Sequence, residues 1–467
     1  ASPTMGALRV LRGTHTWSGA TTASSAQPTI AVNDSNATVT FSGGFALGTL
    51  GFVAAGPGAV ILSAASTGSG PVTIDGGELR LNGAGTLNSA ATGQAITVTT
   101  GGSLVLDNTT TAVANRVADS TTTSLAGGSI RFLAGSGANT ETIGGVTLSN
   151  TNGPRSNVIE SSVTGAGNSA TLTIAGITQQ GGANVRFVGT GTSLGTSSAN
   201  KIVFTSAPAL TGTSPNDILR YAVIQSSSGQ IDFVRHTGNN TSVTPYTAYA
   251  TGDINAAATG SIYLYDGSNT TPLSGTKQLN GVLIRGNNLT LAGNAGATLA
   301  LTGVTGGAGS LLASSGTGNA LTTPTFDFGA NQGHLFVSGD LTINSTIAGS
   351  NSNSLNKWGG GELILGGSNA NTFTGATNVQ QGTLTLKKTG ALSTDGTATN
   401  GTTVQAGAAL QLDGVNIGDE WLTLNSPLDW SSSGGLRNKA GSNSWGTGAT
   451  PVTLSTSYAY HGVSVAT

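Results

Sequence analysis

A short pattern recurs along this chain, and it limits the fold more than any other feature of the sequence. A turn pair, usually Gly-Gly, precedes a run in which every second residue is apolar. Leu79 precedes Leu104 by 25 residues, and Leu363 precedes Leu384 by 21. Internal periods of about 20 to 50 residues are typical of solenoid proteins. The copies are GGELRL at 76–81, GGSLVL at 101–106, GGSIRF at 127–132, GGELIL at 360–365, QGTLTL at 381–386 and the looser AGAALQL at 406–412.

The length of the period predicts the architecture of one repeat. It accommodates about three short strands and three turns, whereas a propeller blade needs about 40 residues. In a parallel β-helix each strand lies about 4.8 Å from the equivalent strand of the previous coil. Leu79 and Leu81, like Leu363 and Leu365, would then join inward-facing apolar columns, while Arg80 points outward. We therefore predict an all-β fold, a parallel β-helix.

Composition agrees with many short strands joined by turns. Only 8% of residues are charged and 37% are hydrophobic, which argues against a disordered chain, while the 73 glycines lack the strict period of collagen. No apolar run reaches the roughly 18 residues of a membrane helix, so we expect no membrane span. The absence of cysteine excludes a disulfide scaffold. With 17 Lys and Arg residues and no basic stripe, we expect no nucleic-acid partner.

The repeat is not uniform, and this divides the chain into four regions. We predict N-terminal coils or a cap at 1–70, β-helix repeats at 71–200, and repeats with C-terminal coils at 276–467. Residues 201–275 concentrate charge, Pro and Tyr, and contain the strand-like runs IDFVRH and SIYLYDG. We interpret them as an irregular β region, a candidate protruding insertion.

One segment resembles a known family. The run WGGGELILGGSNANTFTGATNVQQGTLTL at 358–386 is similar to the autotransporter-associated β-strand repeat, also called the passenger-associated transport repeat. That repeat has a W-x-G-x-G-x-L-x-L-x-G start, an N-x-(Y/F)-T-G-x-T core and an x-G-x-L-x-L end. The residues that carry the resemblance are Trp358, Gly359, Gly361, Leu363, Leu365 and Gly366 at the start, with slightly shifted spacing, Asn371, Phe373, Thr374, Gly375 and Thr377 in the core, and Gly382, Leu384 and Leu386 at the end.

The resemblance implies an exported bacterial protein, found extracellularly or at the cell surface, with a right-handed parallel β-helix. Classical members of the family end in a membrane β-barrel. The tail TPVTLSTSYAYHGVSVAT is too short for one. We therefore expect a passenger-type β-helix without the C-terminal barrel, either a processed fragment or a barrel-less relative.

Candidate chemistry is sparse. Asp232, Arg235 and His236 form the densest polar group, and Asp232 and His236 would share one face of a strand, as an acid–base pair requires. An ordinary exposed strand is the favoured interpretation. The four histidines lie far apart without metal-ligand spacing. We expect no metal, no cofactor and no enzymatic activity.

The five tryptophans have two interpretations. Trp421, Trp430 and Trp445 lie close together near the end of the sequence, whereas Trp17 lies near its beginning and Trp358 opens the clearest repeat. Capping of coils or packing under turns is the favoured interpretation. The alternative is a platform on which sugars stack, or a contact between subunits. Together with Asp232, Arg235 and His236, the three C-terminal tryptophans are our candidate interaction residues.

These observations predict an exported structural β-solenoid at the bacterial cell surface, forming a stiff rod, stalk or self-assembling fibre. Uncovered ends of a solenoid expose unpaired strand edges, which favours end-to-end self-association. One alternative is an adhesin that binds glycans or host protein through 201–275. Another is a polysaccharide lyase or hydrolase that uses the polar group of the IDFVRH run.

Overall fold

The computed structural model describes residues 6–24, 26–87, 94–151, 153–195, 198–302, 310–350, 354–392, 397, 399–425, 435–446, 452–454 and 463–465. These residues form strands, turns and bends but no helix. They divide into two compact units. The first comprises Ala1–Thr151, Ser156–Ala209 and Ala222–Pro245, and the second comprises Asn152–Arg155, Leu210–Tyr221 and Tyr246–Thr467.

The first unit is built from four sheets whose strands stack coil upon coil. The 8-stranded sheet contains Leu8–Val10, Thr29–Val32, Phe52–Ala55, Val72–Asp75, Ala95–Thr99, Thr122–Ala126, Val146–Leu148 and Ile177–Gln179. The 11-stranded sheet contains Thr14–Trp17, Thr38–Phe41, Ala59–Leu62, Gly77–Leu81, Gly102–Asp107, Ser129–Leu133, Ser156–Ser162, Asn184–Thr190, Ala222–Gln225, Ile231–Arg235 and Thr244–Pro245. Two 4-stranded sheets contain Thr21–Thr22, Phe45–Gly48, Ala65–Gly68 and Thr86–Leu87, and Ala138–Ile143, Ser169–Ile174, Asn200–Phe204 and Thr241–Ser242.

The second unit repeats this plan. Its 9-stranded sheet contains Ile262–Tyr265, Gly281–Arg285, Ser310–Ser315, Gly333–Val337, Leu355–Trp358, Thr377–Val379, Thr402–Val404, Leu422–Leu424 and Val452–Leu454. Its 8-stranded sheet contains Thr290–Ala292, Asn319–Thr322, Asp340–Ile343, Glu362–Leu365, Gly382–Leu386, Ala408–Asp413, Leu436–Ala440 and Val463–Val465. A 4-stranded sheet contains Thr276–Gln278, Thr298–Ala300, Thr325–Asp327 and Thr346–Ala348, and two 2-stranded sheets contain Thr211–Thr213 with Asn216–Ile218, and Asn416–Ile417 with Ser444–Trp445.

The register confirms the predicted repeat. Leu79 pairs with Leu104, and Leu363 pairs with Leu384, in parallel strands of successive coils. These side chains are fully buried, as are those of Leu81 and Leu365, so the inward columns exist as predicted. Successive coils add strands to the two long sheets of each unit, and some coils add a further strand to a shorter sheet. The fold is therefore an all-β parallel β-helix, while its right-handedness and the boundaries near residues 70, 200 and 275 stay predictions.

Antiparallel pairing of named strands is confined to one part of the described chain. Asn200–Phe204 pairs antiparallel with Thr241–Ser242, and Thr211–Thr213 pairs antiparallel with Asn216–Ile218. Ala222–Gln225 and Thr244–Pro245 both pair antiparallel with Ile231–Arg235. These residues lie inside the region that the sequence marks as irregular, and here the coil pattern is interrupted.

Candidate functional site

The polar group predicted at 232–236 lies in the interrupted region, and its strand is buried rather than exposed. Ile231–Arg235 has neighbours on both sides, which explains why its first four side chains are buried. Asp232 is 7% exposed and accepts a hydrogen bond from Nε2 of Gln230 at 2.9 Å. Arg235 is half-buried at the end of the strand. The sequence-based interpretation as an exposed strand is therefore wrong, because it could not foresee the two antiparallel neighbours.

His236 is held by the main chain through both ring nitrogens. Its Nε2 lies 2.7 Å from the carbonyl oxygen of Pro208, and its Nδ1 accepts the N–H of Gly238 at 3.1 Å. These two partners fix the tautomer that carries its proton on Nε2. A ring engaged in this way links two segments of backbone, and a general base would have to break one of these bonds before it could accept a proton.

Two of the three candidate tryptophans pack at one side of the second unit. Trp445 is half-buried, packs against the hydrophobic core, and donates its indole N–H to the carbonyl oxygen of Glu420 at 2.8 Å. Trp421 follows Glu420 in the chain and is also half-buried, and its carbonyl oxygen accepts the N–H of Thr402 at 2.7 Å. Trp430 lies outside the described residues. A role of these tryptophans in interactions stays a prediction.

A buried lysine that sequence reasoning missed lies in the clearest repeat. Lys357 occupies an inward position, in register with Leu335 of the coil before and Val379 of the coil after. Its Nζ donates to the carbonyl oxygens of Gly359, Gly361 and Gln381 at 2.7, 2.5 and 2.7 Å. We call this arrangement the Lys357 clamp. It joins two successive coils through one side chain.

Two physical effects act on the amine of the Lys357 clamp. Burial lowers the pKa of Lys357 from its ordinary 10.5 to about 7, and the carboxylate of Glu362 opposes this shift. The clamp also explains one glycine of the repeat. A Cβ atom on Gly382 would lie 2.4 Å from Nζ of Lys357, and Gly382 has a positive φ of 69°. The x-G-x-L-x-L end therefore requires glycine for both space and backbone conformation.

The asparagine of the repeat core forms a second clamp between coils. Oδ1 of Asn371 accepts the N–H of Ile347 at 2.8 Å and Nζ of Lys388 at 2.7 Å, while its Nδ2 donates to the carbonyl oxygen of Ala391 at 2.6 Å. Lys388 also donates to the carbonyl oxygen of Ser345 at 3.0 Å, and burial lowers its pKa to about 8. We call this arrangement the Asn371 clamp. It fixes one turn against the coils on both sides.

The first unit also contains two buried ionisable side chains, Arg116 and Glu141, that form hydrogen bonds to the main chain. Arg116 donates from its guanidinium to the carbonyl oxygens of Gly85 and Thr111 at 2.7 and 2.9 Å. The carboxylate of Glu141 accepts the main-chain N–H groups of Arg116 and Val117 at 3.0 and 3.1 Å. Burial raises the pKa of Glu141 to about 8, although these hydrogen bonds and Arg116 oppose the shift. Both side chains bond to the backbone of the loop before strand Thr122–Ala126, and Arg116 also ties this loop to Gly85 of the coil before.

A buried histidine and arginine lie together in the second unit. His334 is completely buried, and neither ring nitrogen has a hydrogen-bond partner among the described residues. Burial, aided by the charge of Arg220, lowers the pKa of His334 to about 4, so its ring is neutral at physiological pH. Arg220 donates to Oδ1 of Asn280 at 3.3 Å, and burial lowers its pKa to about 10. Within the described part of the chain, no group of three or more His, Asp or Glu side chains is arranged to hold a metal ion.

The arrangement is that of a parallel β-helix whose turns are pinned by buried lysine and asparagine side chains. The sequence model of the passenger-associated-transport-repeat matches residues 52–81 and 355–386. The second match contains Lys357 and Asn371, and the first contains the GGELRL copy. The chain thus carries this repeat, which is characteristic of autotransporter passenger domains and implies export to the cell surface.

Two further comparisons gave nothing. No curated protein and no solved structure matches the chain. The described residues also form no helix with the length and hydropathy that crossing a bilayer requires.

Proposed function

We propose that this chain is the structural part of an exported bacterial surface protein, a stiff β-solenoid that carries load or holds other parts away from the cell. The inward columns and the clamps between coils carry this proposal. Leu363 and Leu365 supply cohesion along the axis, and the Lys357 and Asn371 clamps fix the turns, where a solenoid is otherwise held only by backbone hydrogen bonds. These contacts support a mechanical role, for which no enzymatic step is needed.

Durability at the cell surface follows from the same contacts. Lys357 and Lys388 are 1% and 4% exposed, so trypsin cannot reach them in the folded chain. Opening of one coil breaks backbone pairing on two sides together with any clamp that crosses it. Limited proteolysis at a fixed ratio of trypsin to protein measures how readily a coil opens. We expect the repeat at 355–386 to survive intact, and early cleavage after Lys357 would contradict the proposal.

Export to the cell surface needs its own experiment. Intact cells of the bacterium that makes the protein are treated with proteinase K and probed with an antibody against the folded chain, with a cytoplasmic protein as control. We expect loss of the signal while the cytoplasmic control is preserved. A signal that resists protease until the cells are lysed would refute surface exposure.

End-to-end self-association belongs to this proposal. The strand Thr14–Trp17 lies at the edge of the 11-stranded sheet and has a partner strand on one side only among the described residues. Such an edge offers main-chain donors and acceptors to a second molecule. Sedimentation velocity over a wide range of concentration and negative-stain microscopy test this. A single species of monomer mass at every concentration would exclude assembly by the protein alone.

The second candidate is an adhesin, and the antiparallel strands at 200–245 favour it. The hairpin tip between Ala222–Gln225 and Ile231–Arg235 is exposed from Ser227 to Gln230, so it can contact a partner. Ser228→Arg should reduce adherence to host cells or glycan-coated surfaces, whereas Ser136→Arg, at an exposed turn elsewhere in the same unit, should not. Equal adherence of both variants and the parent chain would remove this candidate.

The third candidate, a polysaccharide lyase or hydrolase, would need a free acid–base group. The main-chain partners of His236 argue against it, and we propose that the protein is not an enzyme. Assays on anionic and neutral polysaccharides, with His236→Ala as control, decide the matter. Turnover by the parent chain that disappears in this variant would overturn the proposal.

A further inference from the structure

The first described coil differs from the coils that follow it. All four residues of strand Thr14–Trp17 are exposed, whereas inward residues alternate with outward ones in the equivalent strand Thr38–Phe41. Trp17 is in register with Phe41, and Phe41 with Leu62. These two partners are 2% and 0% exposed, but Trp17 is 50% exposed. Within the described residues, the first member of this apolar column is therefore an indole ring that is half open to solvent.

A cavity lies beside this ring. It has a volume of about 590 Å³, within the range of roughly 300–1,000 Å³ that is usual for small-molecule sites. Trp17, Phe41 and Phe45 line it with aromatic rings, and Phe41 and Phe45 stack at 5.3 Å between their centroids. The cavity belongs entirely to the first unit. It is a concave site with aromatic walls.

The polar part of the lining is uncharged. Thr21, Thr22 and Gln27 are among its polar residues, and none of the described residues that line it is Asp, Glu, Lys, Arg or His. Oγ1 of Thr21 is buried and has no hydrogen-bond partner among the described residues. Thr21 is in register with Phe45, so the first coil places a hydroxyl where the next coil has a phenyl ring. Thr22, Ser24 and Gln27 are exposed residues of the lining, so their hydroxyl and amide groups can reach a ligand in the cavity.

These features define the chemistry of the ligand. An open indole face packs well on the apolar C–H face of a pyranose ring, and neutral hydroxyl and amide groups exchange hydrogen bonds with sugar hydroxyls. An anionic ligand would be buried without a cationic partner, which is costly. We propose that this cavity is a binding site for a neutral saccharide, with Trp17 as its stacking platform and Thr22 as a hydrogen-bonding residue. This inference does not rest on the structural role proposed above.

The experiment measures binding of defined probes to the full chain. Cello-oligosaccharides, xylo-oligosaccharides and chito-oligosaccharides are the neutral probes, and oligogalacturonate is the anionic one. Isothermal titration gives the affinity for each. We expect at least one neutral series to bind, with oligogalacturonate about tenfold weaker or undetectable.

Substitutions connect binding to the cavity. Trp17→Ala should lower the association constant about tenfold, and Trp17→Phe, which keeps an aromatic face, should restore most of it. Thr22→Val keeps the shape and removes the hydroxyl, and should lower the association constant about fivefold. Leu11→Ala is the matched control, because Leu11 is 60% exposed near the same strand but does not line the cavity. Circular dichroism and the melting temperature should be unchanged in all four variants.

Three results would overturn the assignment. The first is that no neutral probe binds the parent chain. The second is that binding is the same in the parent chain and in Trp17→Ala, which would place it elsewhere. The third is that Trp17→Ala changes the sedimentation coefficient while no sugar binds. The cavity would then be filled by a second copy of the chain.

Discussion

The Lys357 clamp allows a quantitative prediction about a buried charge. Lys357→Met keeps the apolar stem of the side chain and removes the three hydrogen bonds to Gly359, Gly361 and Gln381. A buried polar group that loses its partner costs about 1–3 kcal/mol, so the loss of three donated bonds should destabilise the chain by a few kcal/mol. An uncharged amine has only two N–H groups, so above the pKa of Lys357 the estimate counts two donated bonds, and the third is made only by the protonated amine.

The destabilisation caused by Lys357→Met should increase as the pH rises. Burial lowers the pKa of Lys357 to about 7, while the unfolded chain keeps the ordinary value of 10.5. Between these values the unfolded chain holds a proton that the folded chain has released, so the free energy of unfolding rises with pH. The slope approaches about 1.4 kcal/mol per pH unit, which amounts to roughly 2 kcal/mol between pH 7 and pH 9, because about half of the folded chains still hold the proton at pH 7. The methionine variant lacks this term.

Urea denaturation of the parent chain and of Lys357→Met at pH 7, 8 and 9 measures the difference between their free energies of unfolding. The contributions of all other titrating groups cancel in this difference. We expect the stability gap in favour of the parent chain to widen as the pH rises. Lys387→Met is the matched control, directly after strand Gly382–Leu386, since Lys387 is half-exposed and 3.2 Å from Asp413, and its stability gap should be small and flat. A flat gap for Lys357→Met would show that the three carbonyl oxygens retain the proton against the effect of burial.

Three further predictions concern single positions. Leu363→Ala should lower the free energy of unfolding by about 2–5 kcal/mol because it opens a cavity in an inward column, whereas Ile364→Ala, at a half-buried outward position, should cost much less in the same denaturation assay. Gly361→Ala should prevent normal coil stacking, because its Cβ would lie 1.8 Å from a main-chain oxygen of the previous coil; Gly360→Ala meets no atom within 4 Å and should leave the melting temperature nearly unchanged. Burial raises the pKa of Glu141 to about 8 from an ordinary 4.5, so the parent chain should lose stability as the pH rises from 4.5 to 8. Glu141→Gln should not show this loss. Equal pH profiles of the urea midpoint in the two proteins would contradict the prediction.

The repeat could be predicted because local pattern and tertiary register coincide there. Leu384 is in register with Leu410, 26 residues later, as their places in the two sequence copies indicate. Alternation at period two is a property of any strand, and a recurring Gly-rich turn sets the phase of each coil. The same turns explain why the family resemblance was visible in residues 358–386 without a structure.

The clamps and the cavity could not be predicted in this way. The residues around Lys357 do not indicate that its side chain points inward. That direction is set by the register of Lys357 with Leu335 and Val379 in the neighbouring coils. Likewise, a sequence cannot show that Trp17 lies in one column with Phe41, since this depends on which strand lies beside which.

The sequence by itself determined the class of fold: short alternating strands, a period of one coil and glycine-rich turns allow a stacked parallel sheet and little else. Tertiary structure decided which polar side chains turn inward, which strand pairs antiparallel in the interrupted region, and where an indole is left open. The physical reason is that coil lengths vary from 21 to 26 residues between copies, so the position of each turn is fixed by backbone pairing with the neighbouring coil. Burial, and with it every pKa shift described here, follows from that pairing.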